Sequence, residues 1–265
     1  MIPGLSIFFM VITLLISFGL PVAIFIIWRK KYDLKIMPLA LGISAFIVFA
    51  LVLQQIVHAI VLSPNADGSG GLLANDPAIF VFYAILSAGV FEETGRFIAF
   101  HILKKKSEGI GTGLSYGIGH GGIEAVLLVG LTMLNNLIMS IMVNSGNIEA
   151  LGTEPEILAS VNLLASISPS LFLTAGIERV IAISIHISLS MIVWCSVKVK
   201  GKLWLYPAAI VMHAIVNIAP AMYQAGFIDS IWVVEGFVLI PAVLIAYAAY
   251  MVCKVIKKEE TIEVI

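Results

Sequence analysis

Charge is scarce in this 265-residue chain: Asp, Glu, Lys and Arg make up only 12% of it, about half the share usual in a soluble domain. Hydrophobic residues make up 60%, and the mean hydropathy is +1.08. An excess of that size cannot be buried inside a water-soluble particle of 28.5 kDa. The surface itself must face lipid, and the fold class expected is an all-α polytopic membrane protein. The net charge is −1 and there is no exposed basic block, which argues against a nucleic-acid partner. Cysteine is scarce too. Cys195 and Cys253 make no disulfide framework, and both fall near helix ends expected to be cytoplasmic, where thiols stay reduced. The zincin signature H-E-x-x-H is missing, and the one G-x-S-x-G string, at 113–117, lies within an apolar helical run and not at the strand-to-helix turn of a nucleophile elbow. The string Asp67-Gly68-Ser69-Gly70-Gly71 resembles a serine-protease loop, but it has no His nearby and reads as a flexible linker.

A membrane-crossing helix needs about 20 largely apolar residues. Seven segments qualify: 4–28, 36–62, 77–103, 110–143, 169–197, 203–225 and 231–253. Two are longer than a bilayer requires, so tilt or breaks are expected. Residues 1–265 read as one integral membrane domain, with 63–76 and 144–168 as extracytoplasmic loops and 77–225 as the core helices. Within the second loop, 157–168 is apolar enough to lie on the membrane or re-enter it. The first span has no basic n-region and is too long for a signal-peptide h-region, so it is expected to be retained.

Thirteen of the fifteen basic residues fall on one side: Arg29, Lys30, Lys31 and Lys35; Lys104, Lys105 and Lys106; Lys198, Lys200 and Lys202; and Lys254, Lys257 and Lys258. The loops at 63–76, 144–168 and 226–230 hold none. Positive charge stays cytoplasmic, so the N-terminus is expected outside and the C-terminus inside. The plain positive-inside pattern points to a bacterial plasma membrane.

The other two basic residues, Arg96 and Arg179, lie within spans, as do Glu92, Glu93, Glu124, Glu178 and Glu235. Each such group costs about 2.5–3.5 kcal/mol on insertion scales, so function or tight pairing must justify it. Glu235, five residues into its span, is within reach of the outer interface and needs no special role. The others share a depth. Glu92 is 12 residues from Lys104, His120 is 14 from Lys106, His186 is 12 from Lys198 and His213 is 11 from Lys202. At 1.5 Å per residue, all four lie roughly 16–21 Å from the cytoplasmic charge belt. A central core of four helices therefore brings one carboxylate and three imidazoles to one plane.

Helical spacing suggests partners. Glu92 and Arg96 are four apart and share a face, so Arg96 could hold Glu92 ionised or anchor Glu93. His120 and Glu124 are four apart, as are His213 and Asn217. Arg179 and His186 are seven apart, with Glu178 beside Arg179. Each pair alone reads as structural glue; the shared depth of the set points to a site. His58 and His101 have no motif around them and read as structural. Gly109, Gly113, Gly117 and Gly121 recur every four residues, which favours close helix packing and could also leave room for a peptide or a water beside His120.

These motifs resemble a known group. Glu-Glu-x-x-Arg at 92–96, a later span with a catalytic-type His or Glu, and His-x-x-x-Asn at 213–217 are similar to the superfamily of type II CAAX prenyl endopeptidases, bacteriocin-processing homologues and PrsW proteases. The set formed with His-Gly-Gly-Ile-Glu at 120–124 and Glu-Arg at 178–179 most resembles its YhfC branch. The resemblance covers 92–217. It implies an intramembrane endopeptidase in which Glu92 is the general base, Glu93 and Arg96 support it, and His213 and Asn217 stabilise an oxyanion. The prenyl-protease pattern Phe-x-x-x-His is replaced here by His120 and Glu124, which puts a prenylated substrate in doubt and leaves open which of the two faces the water.

The resulting expectation is peptide hydrolysis on a membrane-embedded or membrane-tethered substrate, with the lipid bilayer as surroundings. His120, Glu124 and His186 could orient the water. No cofactor is expected from the resemblance, but zinc is possible, because His120, His186, His213 and Glu92 would suit it with one position open. Buried Glu, Arg and His also serve proton-coupled transporters, yet the polar motifs do not recur in a second half as inverted repeats would require. A non-catalytic immunity or scaffold protein would have no need of intact Glu92, His213 and Asn217.

Overall fold

Helix is the only regular structure among the residues described by the computed structural model, 1–63, 71–148, 152 and 154–263. A chain in lipid must satisfy its backbone polar groups internally, and a helix does so within one segment. Seven helices are long and apolar enough to cross a membrane, and the chain is a multi-pass membrane protein. Span 1 is Gly4–Tyr32, span 2 Ile36–Val61, span 3 Pro77–Leu103, span 4 Gly109–Asn144, span 5 Pro169–Lys198, span 6 Leu205–Gln224 and span 7 Ile231–Glu263. Span 1 outruns its expected end because Arg29, Lys30 and Lys31 stay helical, where cations favour the carbonyl end of the helix dipole. Asp33, in the left-handed region at φ 52°, then stops it. Spans 3 and 5 each start on a proline, which is preorganised for a first turn.

Spans 2 and 4 depart from the regular α-helix. Each carries a π-helical stretch, Phe46–Leu53 and Ala125–Gly130, a distortion often found at functional sites. Here the first places Phe46 edge-on to His120, with ring centroids 5.2 Å apart, and the second begins directly after Glu124.

The two intervening loops each carry a short helix. Pro155–Ser166 is a helix. It begins on a proline, is too short to span, and buries Val161 and Leu164, the latter against Met10, Met133 and Phe172. Gly71–Asn75 forms a shorter helix. Of the proposed linker 67–71, only Gly71 is among the described residues, and 149–151 and 153 of the second loop also lie outside them.

Span 5 is the central post, packed on spans 1, 3, 4, 6 and 7. Its most apolar window is 72% buried, against 17–39% for the others, so it is the helix whose side chains meet protein rather than lipid. Span 4 is pressed onto it through Gly113, Gly117 and Gly121; a Cβ at Gly117 would stand 2.6 Å from the Ile187 Cα. The glycines therefore serve close packing. The room they could have left beside His120 is filled by span 5 itself.

Candidate active site

Four spans deliver the polar residues. Span 3 carries Glu92, Glu93 and Arg96. Span 4 carries His120 and Glu124, span 5 carries Glu178, Arg179 and His186, and span 6 carries His213 and Asn217. Spans 3 and 6 approach closely because Gly89 has no side chain: a Cβ there would lie 2.9 Å from the Ile210 carbonyl oxygen. The Thr94 and Tyr206 hydroxyls, 2.8 Å apart, join the same two helices nearer the lysine-bearing end.

The innermost cluster is built on Arg96. Its Nη1 donates to both oxygens of Glu93 at 2.7 Å, and both side chains are wholly buried. Arg96 thus pairs with the acid three residues before it, and not with Glu92 four before it. Its Nη2 lies 3.1 Å from His186 Nδ1. A guanidinium only donates, so Nδ1 accepts and the His186 proton sits on Nε2, which is 2.5 Å from Glu124 Oε2. Glu93 Oε1 also faces His213 Nδ1 at 2.8 Å. The carboxylate accepts, which fixes the His213 ring with Nε2 left over.

The outer cluster is built on Arg179. It donates to Glu124 at 2.8 Å through Nη1 and to Glu178 at 2.6 Å through Nη2. Arg179 and His186, expected on one face of span 5, therefore meet the same carboxylate. Glu92 differs from the other three acids in having no guanidinium. His120 Nε2 donates to its Oε2 at 3.0 Å, and His186 Nδ1 is 3.8 Å away.

A cavity of about 320 Å³ opens against this assembly, lined by Glu92, Glu124, Arg179, His186, His213 and Asn217, and farther out by Glu178, Tyr223, Ile231 and Glu235. His120 does not line it. Only 1% exposed, it sits behind Glu92 among Phe46, Tyr116 and His186. Of the two residues left open by the sequence, Glu124 borders the cavity and His120 backs Glu92. Glu93 and Arg96 do not border it either. Asn217 lines the cavity half-buried, without a hydrogen bond to His213, its expected neighbour on the helix face.

One oxygen of Glu92 and one ring nitrogen each of His120 and His186 lie within 4.8 Å of one another, and all three residues are buried. Two imidazoles and a carboxylate are a zinc-type donor set. His186 also has the outer carboxylate partner, Glu124, that ligating histidines usually have. This group could hold a metal ion. His213, the fourth ligand expected, is not in this group; its Nδ1 faces Glu93. Arg96 stands on His186 Nδ1, where a ligand bond would have to form.

His58 and His101 are outside the cluster. His58 Nδ1 meets the Tyr83 hydroxyl at 2.6 Å, and His101 Nδ1 meets the Phe97 carbonyl at 3.0 Å. Sequence reasoning set Glu235 aside at the outer interface, yet it borders the cavity and its Oε2 is buried without a partner. The only signal for it was a lone acid in an apolar span.

Residues 13–238 match the family described as YhfC intramembrane metalloprotease. The "Uncharacterized membrane protein YhfC" of Bacillus subtilis (strain 168) is 31% identical over 253 residues, covering 94% of this chain and 96% of that protein. No solved structure matches. The family match runs through all four site-bearing spans and the relative aligns almost end to end: the chain belongs to the YhfC intramembrane metalloprotease family.

Proposed function

We propose that this chain is an intramembrane endopeptidase of the bacterial plasma membrane, with its N-terminus outside. It hydrolyses a peptide bond of a membrane-embedded or membrane-tethered polypeptide held in the cavity lined by spans 3, 4, 5, 6 and 7. The observation that carries the reading is the isolation of Glu92. Glu93 is clasped by Arg96, and Glu124 and Glu178 by Arg179, so each of the three is paired with a guanidinium. Glu92 touches only imidazoles and borders the cavity.

With Oε2 engaged by His120, Oε1 of Glu92 is the oxygen left for a water. Glu92 takes a proton from that water as its oxygen attacks the substrate carbonyl carbon. The carboxyl group then returns the proton to the leaving amine as the C–N bond breaks. The amide of Asn217 donates to the oxyanion. His213, held through Nδ1 by Glu93, presents Nε2 to the same space and is a second donor when protonated. One such donor is worth roughly 2.7–4 kcal/mol.

The convergence of Glu92, His120 and His186 within 4.8 Å favours a second reading. A divalent metal held by these three would act as a Lewis acid and lower the pKa of a bound water. Glu124 would then keep His186 oriented, and His213 and Asn217 would retain their places at the oxyanion.

The test uses purified protein and a pool of random-sequence decapeptides in detergent, with products identified by mass spectrometry. Cleavage lost in Glu92→Gln, which keeps size but removes the base, is expected on either reading. Activity kept after thorough chelation supports the metal-free route. Activity lost with one bound divalent ion, and restored with it, moves Glu92 to the ligand set. Absence of any Glu92-dependent cleavage overturns the protease reading.

A further inference from the structure

A second cavity, of about 340 Å³, lies on the other side of the same wall. Ala88, Asn217 and Pro220 border both it and the cavity that holds Glu92. Its remaining walls come from the outer parts of spans 2, 3 and 6; Leu62, Phe80 and Ala221 make part of them apolar, and Gln54, His58, Tyr83 and Gln224 set polar groups among them. Gln54 is buried and donates to Ser87 Oγ at 3.3 Å, while His58 is held by the Tyr83 hydroxyl.

We propose that the two cavities are the two arms of one substrate channel. An extended peptide crosses span 6 beside Asn217 and Pro220, with the residues on one side of its scissile bond in the Gln54–His58–Tyr83 cavity and those on the other side in the Glu92 cavity. This rests on the protease reading and adds to it where the substrate lies and in what conformation.

Three observations support the assignment. A peptide bond open to attack cannot be in a helix, and an extended backbone at membrane depth must find partners for its N–H and C=O groups. Polar side chains along both cavities supply them. The contrast is a third cavity of about 340 Å³, bordered by Phe18, Pro21, Phe25, Leu39 and Ile118, which offers a peptide backbone no polar side chain. Second, Pro220 lies inside span 6 and has no amide hydrogen. The Val216 carbonyl therefore loses its helical donor beside the shared wall, leaving a backbone acceptor for a passing peptide N–H. Third, Asn217 borders both cavities. A side chain that donates to the oxyanion has to stand where the two halves of the substrate meet.

The channel predicts that the two arms are read separately. Ala84 borders only the second cavity and Ala182 only the first, and both are half-buried, so a larger side chain has space to occupy. The experiment digests the random decapeptide pool with wild type, Ala84→Phe, Ala182→Phe and Glu92→Gln, and reads residue preference on each side of every cut. Ala84→Phe is expected to change preference on one side of the bond and Ala182→Phe on the other. Each should lower kcat/KM about 10–100-fold for peptides with bulky residues on its own side. Should Ala84→Phe lose its cooperative melting transition, His58→Ala, which removes polar wall without adding volume, reads the same side. Glu92-dependent cleavage with unchanged preferences in Ala84→Phe and His58→Ala, or with both sides altered alike, overturns the channel and leaves the protease reading standing. No Glu92-dependent cleavage by wild type overturns both.

Discussion

The site contains two arginine clusters made from nearly the same parts and placed in different surroundings. Arg96 joins Glu93 and His186, and Glu93 in turn meets His213; Arg179 joins Glu124 and Glu178, and Glu124 in turn meets His186. The Arg96 and Glu93 side chains are wholly buried and do not line the Glu92 cavity. In the other cluster Glu178 is 42% exposed and every member borders the cavity. A buried ion pair broken on one side leaves a stranded charge, whereas water entering a cavity can take over the lost contacts. The same chemistry is therefore scaffold in the first place and adjustable wall in the second, and His186, which touches both, ties them together.

The sharpest way to break this comparison is to remove each arginine in turn. Arg96→Ala strands Glu93 at membrane depth without its cation, and should cost about 3–5 kcal/mol. Melting of the purified protein should fall steeply and proteolysis disappear with it. Arg179→Ala removes hydrogen bonds to charged groups that water can partly replace, so about 1.5–3 kcal/mol is expected, with a folded, weakened protein. Equal losses in the two variants would remove the distinction between scaffold and wall.

Asn217→Ala sharpens the comparison from the cavity side. Asn217 belongs to neither ion cluster and borders both cavities. Losing one oxyanion donor should cost roughly 10²–10³-fold in kcat, with the melting curve unchanged. A matching fall in stability would make it a structural residue.

Much of this was legible before any coordinates. Lysines, Gly and Pro punctuate the apolar runs, so the seven spans could be bounded, and the fixed rise of a helix placed Glu92, His120, His186 and His213 at one depth. Helix rotation and cross-helix pairing were not legible. Spacing within one helix gave Glu92 and Glu93 as equal candidates for Arg96; the three-residue pairing was chosen because His213 approaches from span 6 and His120 from span 4. Arg179 meets Glu124 only because the glycines of span 4 seat that helix on span 5. Glu235 looked peripheral for a similar reason: distance from a helix end says nothing of which way a side chain turns. The Pro155–Ser166 helix has too few residues to read as a span, and its burial depends on Met10 and Phe172 from helices remote in sequence.

The smallest effect expected is a control that gives the others their meaning. His101 lies on span 3, nine residues beyond Glu92 and five beyond Arg96, so any disturbance of span 3 as a whole would register there. Its side chain is exposed, its Nδ1 contacts the Phe97 carbonyl of its own helix, and its ring packs on Phe97. His101→Ala removes no cross-helix bond and borders neither cavity of the channel. A substitution of that kind usually stays within about 0.5 kcal/mol, and decapeptide cleavage should stay at the wild-type rate. Loss of activity with unchanged melting would place a functional surface at the lysine-bearing end of span 3, where neither cluster reaches. The division of the site into a buried scaffold and a cavity wall would then be incomplete.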